Sequence, residues 1–441
     1  MSTKWAWLAV VGLAACGGGQ QQQQPVPDAG PSVTYWQNAA PIMAAKCVTC
    51  HQQGGIAPFR LDDYATAKTM AAAVAAQVSA GTMPPYFMQH DGTCGSFHDE
   101  GTLTDDEKTT LLAWANGDRA EGTPAQLQVP EKPKLEGAVD VSTPHFSPVA
   151  AGGPLAEHDE YRCFDVGMPN TTDQFLTGYD VSPGEPAIVH HAILFVVDPN
   201  LPGADGRTNG QIMADLHANG DGRDGYPCFG GPGDAVRPSA VPVTWAPGQG
   251  VVTYPDGMGV PIHTTDRLIV QMHYNLADPA SAGKSDQTAI HLRFAPSVQR
   301  QLVFALPDPF LNSLGNPTPD MLPPGNTDAK YTWKATARQL GMDGIPYADL
   351  IAVLPHMHGR GLRQQLRLGS ENSTDCAANL THWDFHWQEF YFYKTPPRVT
   401  PDTMVQVTCE YDTSQDTAPV LPGWGTQNEM CLTVLMLALP Q

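Results

Sequence analysis

The chain has 441 residues, 41% of them hydrophobic, and no sustained heptads, a length that suits two or three globular domains. A formal net charge of -21 excludes nucleic acid as a partner, because phosphates would repel the protein; a basic redox protein could still dock on an acidic face. With 42 Gly and 41 Pro spread among short Val/Ile/Thr/Tyr runs, the composition predicts turn-rich all-β architecture, with a helical exception near the N-terminus.

Lys4 and the apolar run at 5–15 predict a signal peptide, too short to span a bilayer. The run ends Leu13-Ala14-Ala15-Cys16, which resembles a bacterial lipobox. Cys16 would then be the lipidated first residue, and 16–34 a flexible tether. The alternative is plain secretion with an unmodified Cys. Either way the protein leaves the cytoplasm, and no later stretch is long and apolar enough to cross a membrane. The expectation is a protein lipid-anchored in the cell envelope. Nine cysteines in such a chain invite a disulfide framework.

Cys47-Val48-Thr49-Cys50-His51 is a CxxCH run, the attachment pattern of a c-type haem: two thiols for the vinyl groups and an adjacent His for the iron. A zinc or thiol-redox CxxC is the alternative. The Ala-rich stretch 65–80 and residues 104–116 predict helices, the second opened by the capping box Thr104-Asp105-Asp106-Glu107. Residues 35–122 therefore resemble a small all-α cytochrome c domain. Cytochromes of that group often carry a Met-Pro-Pro segment, matched here by Met83-Pro84-Pro85, so Met83 is the expected sixth ligand ahead of Met70, Met88 and His90. A Met/His pair saturates the iron and suits electron transfer.

Pro- and charge-rich sequence predicts a linker at 123–139, and a strand-rich region follows. His190 and His191 open a strand at 189–195. Neighbours on a strand point to opposite faces, so only a bulge or strand end would make them co-ligands. On the strand 268–274, Ile269, Gln271 and His273 share one face, either a polar lining or a solvated surface. The apolar run 350–354 leads into His356 and His358, which on a strand point the same way and can grip one ion, or can be an ordinary satisfied pair. Further strands are expected at 383–399 and 404–411, and Asn428-Glu429-Met430-Cys431 opens the last one. By itself Met430 reads as a core methionine.

The order HH, QxHY, HxHG, EMC, together with Tyr161-Arg162-Cys163 and Trp245-Ala246-Pro247-Gly248, resembles the copper type II, ascorbate-dependent monooxygenases. The resemblance covers roughly 140–441. It implies two jelly-roll-like β domains, 140–298 and 299–441, each holding one copper ion and facing the other across a wet cleft. His190, His191 and His273 match the site that stores an electron, and His356, His358 and Met430 the site where dioxygen reacts. Imidazoles suit both copper states, and a thioether favours Cu(I). The resemblance also implies disulfides Cys163–Cys228 and Cys409–Cys431, leaving Cys94 and Cys376 either to bridge the haem region to the second copper domain or to stay as thiols. Peptide-amidating members read a substrate carboxylate through an Arg before the HxH and an Asn and Tyr beyond the Met-Cys. Leu354, Leu432 and Val434 stand there here, which argues against a peptide carboxylate.

The expected function is an exported copper monooxygenase that hydroxylates an organic substrate with O2. Electrons would pass through the attached haem c from an external donor, ascorbate or a redox protein. A non-catalytic copper-binding, electron-transfer lipoprotein is the alternative.

Overall fold

The computed structural model describes residues 33–53, 57–98, 101–129, 134–150, 158–228, 231–246, 249–305, 322–385, 387–423 and 427–441. The expected leader, Cys16 and nearly all of the tether lie outside these residues, as do Pro247 and Gly248.

A π turn, Tyr35–Ala39, leads into α1 (Ala40–Lys46), followed by α2 (Tyr64–Ala80) and α3 (Asp105–Asn116). Asp63 caps α2 by accepting from the Thr66 amide, and Gly81, at φ 71°, ends it in the left-handed conformation. The capping box at Thr104 and Glu107 forms as the sequence predicts. These helices have their own core, with Tyr35, Met43, Leu61, Ala71, Val78, Leu111 and Trp114 buried in it.

Residues 35–122 are nevertheless not one self-contained unit. Past Pro84-Pro85 the chain leaves this core as an arm whose Phe87, Met88 and Phe97 are buried among residues of the C-terminal strands. The arm is stitched down by Gln89 N to Asn379 O (2.8 Å), Thr381 N to Phe87 O (3.0 Å) and His98 N to Phe392 O (2.9 Å). The disulfide Cys94–Cys376 fastens it covalently. Bulky apolar side chains decide this path, because the small Ala-lined helical core has no place for them.

The first β unit contains β1 (Val139–Ser142), β2 (Asp159–Asp165), β3 (Gln174–Ser182), β4 (Val189–Val197) and β5 (Tyr226–Pro227). It continues with β6 (Ala240–Trp245), β7 (Val252–Thr253), β8 (Met258–Ile262), β9 (Arg267–Asn275) and β10 (Ala289–Ala295). One more helix, α4 (Asn209–Ala218), sits between β4 and β5. The second unit contains β11 (Arg300–Ala305), β12 (Ala329–Thr336), β13 (Ala348–His356), β14 (Gly361–Ser370) and β15 (Ser373–Leu380). Its remaining strands are β16 (Tyr391–Phe392), β17 (Arg398–Val399), β18 (Met404–Tyr411) and β19 (Leu432–Ala438).

A long sheet in the order β1-β10-β3-β8-β11-β19-β13-β16 runs through both units, with β7 on β3 and β17 on β13. The sheet β5-β2-β9-β4-β6 packs on its first half and β12-β18-β14-β15 on its second, giving two β-sandwiches. They are not separate bodies. β11 pairs in parallel with β8 and antiparallel with β19, so the sheet is continuous across the expected 298/299 boundary. One core joins Leu176, Leu194 and Ile290 of the first unit to Ile351, Leu432 and Met436 of the second. β19 is buried at every position, because Leu432, Val434 and Met436 face that shared core while Leu435 and Leu437 face the second sandwich. No helix among the described residues is long and apolar enough to cross a membrane.

Candidate metal centre

β4 and β9 are antiparallel neighbours, and His191 stands opposite His273. Between Val189 and His191 the register slips by a residue, so His190 sits in a β-bulge. That bulge lets adjacent histidines converge. Nδ1 of His191 lies 3.3 Å from Nδ1 of His190 and 3.4 Å from Nδ1 of His273. Ligand atoms of all three lie within 4.8 Å of one another. Neutral imidazoles supply one donor each, so three ring nitrogens gathered this closely suit a shared cation better than mutual hydrogen bonding.

The surroundings fix His273 for that task. Its Nε2 donates to Asp159 Oδ1 (3.0 Å), which leaves Nδ1 as the lone-pair nitrogen. Asp159 is held in turn by Asn275 Nδ2 (2.8 Å), and the Tyr161 ring stacks on His273 at 4.0 Å and 12°. Burial lowers the proton affinity of both His191 and His273, favouring the neutral form that binds metal. Gln271, on the same face of β9 as His273, is buried rather than solvated and donates to Gly231 O (2.8 Å).

His356 ends β13 and His358 lies two residues on, while Met357 between them is buried in the second sandwich. Nδ1 of His356 bonds Gln388 Oε1 (2.7 Å) and Nδ1 of His358 bonds Asn428 O (3.0 Å). In both rings Nε2 is then the nitrogen that carries the lone pair for a metal. Their centroids are 5.3 Å apart with the planes at 89°.

Pairing of β13 with β19 sets His356 opposite Leu432, so continuing the register brings His358 alongside Met430. Glu429 holds the two segments together: its carboxylate accepts from the amides of His358 (2.9 Å) and Arg360 (2.8 Å). Full burial pushes that carboxyl up to about 7. Tyr411 donates to Met430 O (2.8 Å), and Cys409–Cys431 (S–S 2.02 Å) fastens the next residue. Trp383 Nε1 donates to His358 O (2.9 Å); a Cβ at Gly361 would meet that indole at 2.5 Å, so the turn after the HxH needs glycine. Cys163–Cys228 also forms (S–S 2.06 Å), tying β2 to the end of β5.

The space between the two sets is not the wet cleft the resemblance implies. The Phe385 ring occupies it, 4.8 Å from the His190 ring and 6.1 Å from the His358 ring. His190, His273 and His358 are 8%, 0% and 4% exposed. Leu354, Leu432 and Val434 are buried in the core shared by the two sandwiches.

In the helical unit, Cys47 and Cys50 take no part in the three disulfides among the described residues. His51 Nδ1 bonds Phe59 O (2.9 Å), which makes Nε2 the available ligand atom. Met83 is 40% exposed, where the chain leaves α2 for the arm, whereas Met88 is buried in the second β unit.

Residues 315–439 match the family described as copper type II ascorbate-dependent monooxygenase, C-terminal domain. The chain is related to the copper type II monooxygenases. Human DBH-like monooxygenase protein 1 is 22% identical over 360 residues, covering 76% of this chain and 55% of that protein. Rat dopamine beta-hydroxylase is 26% identical over 291 residues, covering 62% and 42%. Tyramine beta-hydroxylase of Caenorhabditis briggsae is 23% identical over 265 residues, covering 58% and 40%. The chain thus spans 40% to 55% of the length of these relatives. Among solved structures, the major capsid protein P2 of bacteriophage PM2 covers 68% of this chain and 96% of its own at 8% identity, with a TM-score of 0.23, too low to bear on the fold.

The family relation accounts for the histidines and for Met430. It leaves to the structure the groups that aim them, Asp159, Gln388 and the Asn428 carbonyl, and the Phe385 ring between them. A main-chain carbonyl carries no sequence signal. Asp159 has one, standing two residues before the Tyr161-Arg162-Cys163 motif.

Proposed function

We propose that the chain is an exported copper monooxygenase that hydroxylates a C–H bond of an organic substrate. His356, His358 and Met430 hold the ion that meets dioxygen, and His190, His191 and His273 hold the ion that stores an electron. Copper bound there supplies the redox chemistry: O2, two electrons and two protons convert R–H to R–OH and water. One observation carries this reading. Two imidazole sets face each other, and in the second set each ring has its Nδ1 tied down, so that Nε2 is the nitrogen offered to a ligand.

The protein's own part is positioning. Asp159, Gln388 and the Asn428 carbonyl set which nitrogen of His273, His356 and His358 is offered, and Glu429 keeps Met430 beside His358. The buried setting of His190, His273 and His358 keeps bulk water from the ligands.

The electrons come from ascorbate or a redox protein, by way of a c-type haem on Cys47, Cys50 and His51 with Met83 as its sixth ligand. The Nδ1 bond of His51, which leaves Nε2 for the iron, supports that attachment. Cys16 anchors the chain to the envelope by lipid. The apolar residues at 354, 432 and 434 argue against a carboxylate-bearing peptide as substrate.

The test is turnover of copper-loaded protein with ascorbate under 18O2, using tyramine, dopamine, an apolar hydrocarbon and a glycine-ended peptide as probes. A product carrying one 18O atom, formed only with copper present, is expected from an amine or hydrocarbon probe. Ascorbate oxidation with no labelled product from any probe would favour an electron carrier instead.

A further inference from the structure

Segment 383–388 of the second sandwich reaches over to the first. Trp383 Nε1 bonds the His358 carbonyl, Gln388 holds His356, and Gln388 Nε2 also donates to Phe385 O (2.9 Å). The amide that aims His356 therefore also fixes the backbone from which the Phe385 ring projects. That ring lies tilted by 31° against His190 and edge-on, at 87°, to His358. One side chain thus touches an imidazole of each ligand set. His191 feels the charges of both His356 and His358, which places the two sets within electrostatic reach of each other.

Two sites facing each other through solvent would need no such ring. We infer that Phe385 is a positioning residue that seals the gap between the two copper sites, keeping water and small anions off the His190/His191/His273 ion while holding the two sets at a fixed separation. This rests on the copper reading above. The physical reason is that an aromatic ring packed against both imidazoles leaves no room for a hydrogen-bonded water chain between them, and its apolar faces offer such water no partner. Electron transfer between the sites would then run through packed side chains, with little solvent to reorganise.

The experiment uses the full chain carrying His356→Ala, so that Cu(II) loads only the His190 set, with Phe385 kept or changed to Leu or Ala. Azide is the probe, followed by its charge-transfer band on Cu(II), with pulsed EPR in deuterated water reporting solvent deuterons near the ion. With Phe385 present, weak azide binding and a faint deuteron signal are expected. Phe385→Ala should bind azide about tenfold more tightly or more and show a strong deuteron signal, while Phe385→Leu, which refills the gap, stays near the parent.

Equal azide affinity in all three would overturn the inference. So would a strong deuteron signal with Phe385 in place, a result that needs no Phe385 variant and holds even if Phe385→Ala does not fold. Failure of the parent to take up one copper ion per chain would count against the copper reading itself, and is told apart by metal analysis before azide is added.

Discussion

A His356→Ala chain should hold one copper ion where the native chain holds two, and its oxygen-dependent turnover should fall by about a thousandfold or more, in line with the several kcal/mol a catalytic metal contributes. The fold should survive, because His356 ends its strand and its Nδ1 bonds only the Gln388 side chain. His190→Ala should also remove one ion and turnover. The two variants differ in which ion remains: the thioether-bearing one in His190→Ala and the all-imidazole one in His356→Ala. Metal analysis with Cu(II) EPR checks both. Two ions per chain in His356→Ala would mean that the HxH is not a ligand pair.

Glu429→Ala should be the most damaging substitution outside the ligands. Its carboxylate is fully buried and takes two main-chain amides, those of His358 and Arg360, which have no water to turn to. Leaving both unsatisfied costs about 2–5 kcal/mol. The same loss unpins the segment carrying Met430, so copper should be lost from the His356/His358/Met430 site and kept at the other. Glu429→Gln retains one acceptor oxygen and should fall between the two. Urea unfolding with copper counting reads both effects; an Ala variant as stable as the native chain would show that the amides find other partners.

How much of this is legible in the sequence differs from one feature to another. Strand periodicity gives the HxH pair a common face, and the structure keeps it at the end of β13. Periodicity argues against His190 and His191 as co-ligands, and the bulge that overrides it is a property of pairing with β9, which one strand's sequence does not encode. The family resemblance supplies Met430, whose local sequence looks like core, and two disulfides that form. For Cys94 and Cys376 the sequence leaves two choices open, and the structure takes the bridge.

Domain limits are least visible. A boundary at 298/299 is reasonable from chain length, but β11 turns out to be the strand that joins two halves of one sheet. The arm at 86–98 sits between two well-patterned helices, and nothing local announces that its Phe87 and Phe97 are buried against strands far along the chain, a reach measured by the Cys94–Cys376 separation of 282. The wet cleft comes from the resemblance alone. Phe385 replaces it because its segment is anchored at both ends by hydrogen bonds to the ligand region, an arrangement that depends on tertiary packing.

The most direct measurement is X-ray absorption of the Cu(I)-loaded native chain beside Met430→Leu. The account predicts two ions per chain, three imidazoles on one and two imidazoles with one thioether on the other, so that a single sulfur scatterer is shared by two coppers and disappears in Met430→Leu. A sulfur shell that is missing from the native chain, or unchanged in the variant, would contradict it.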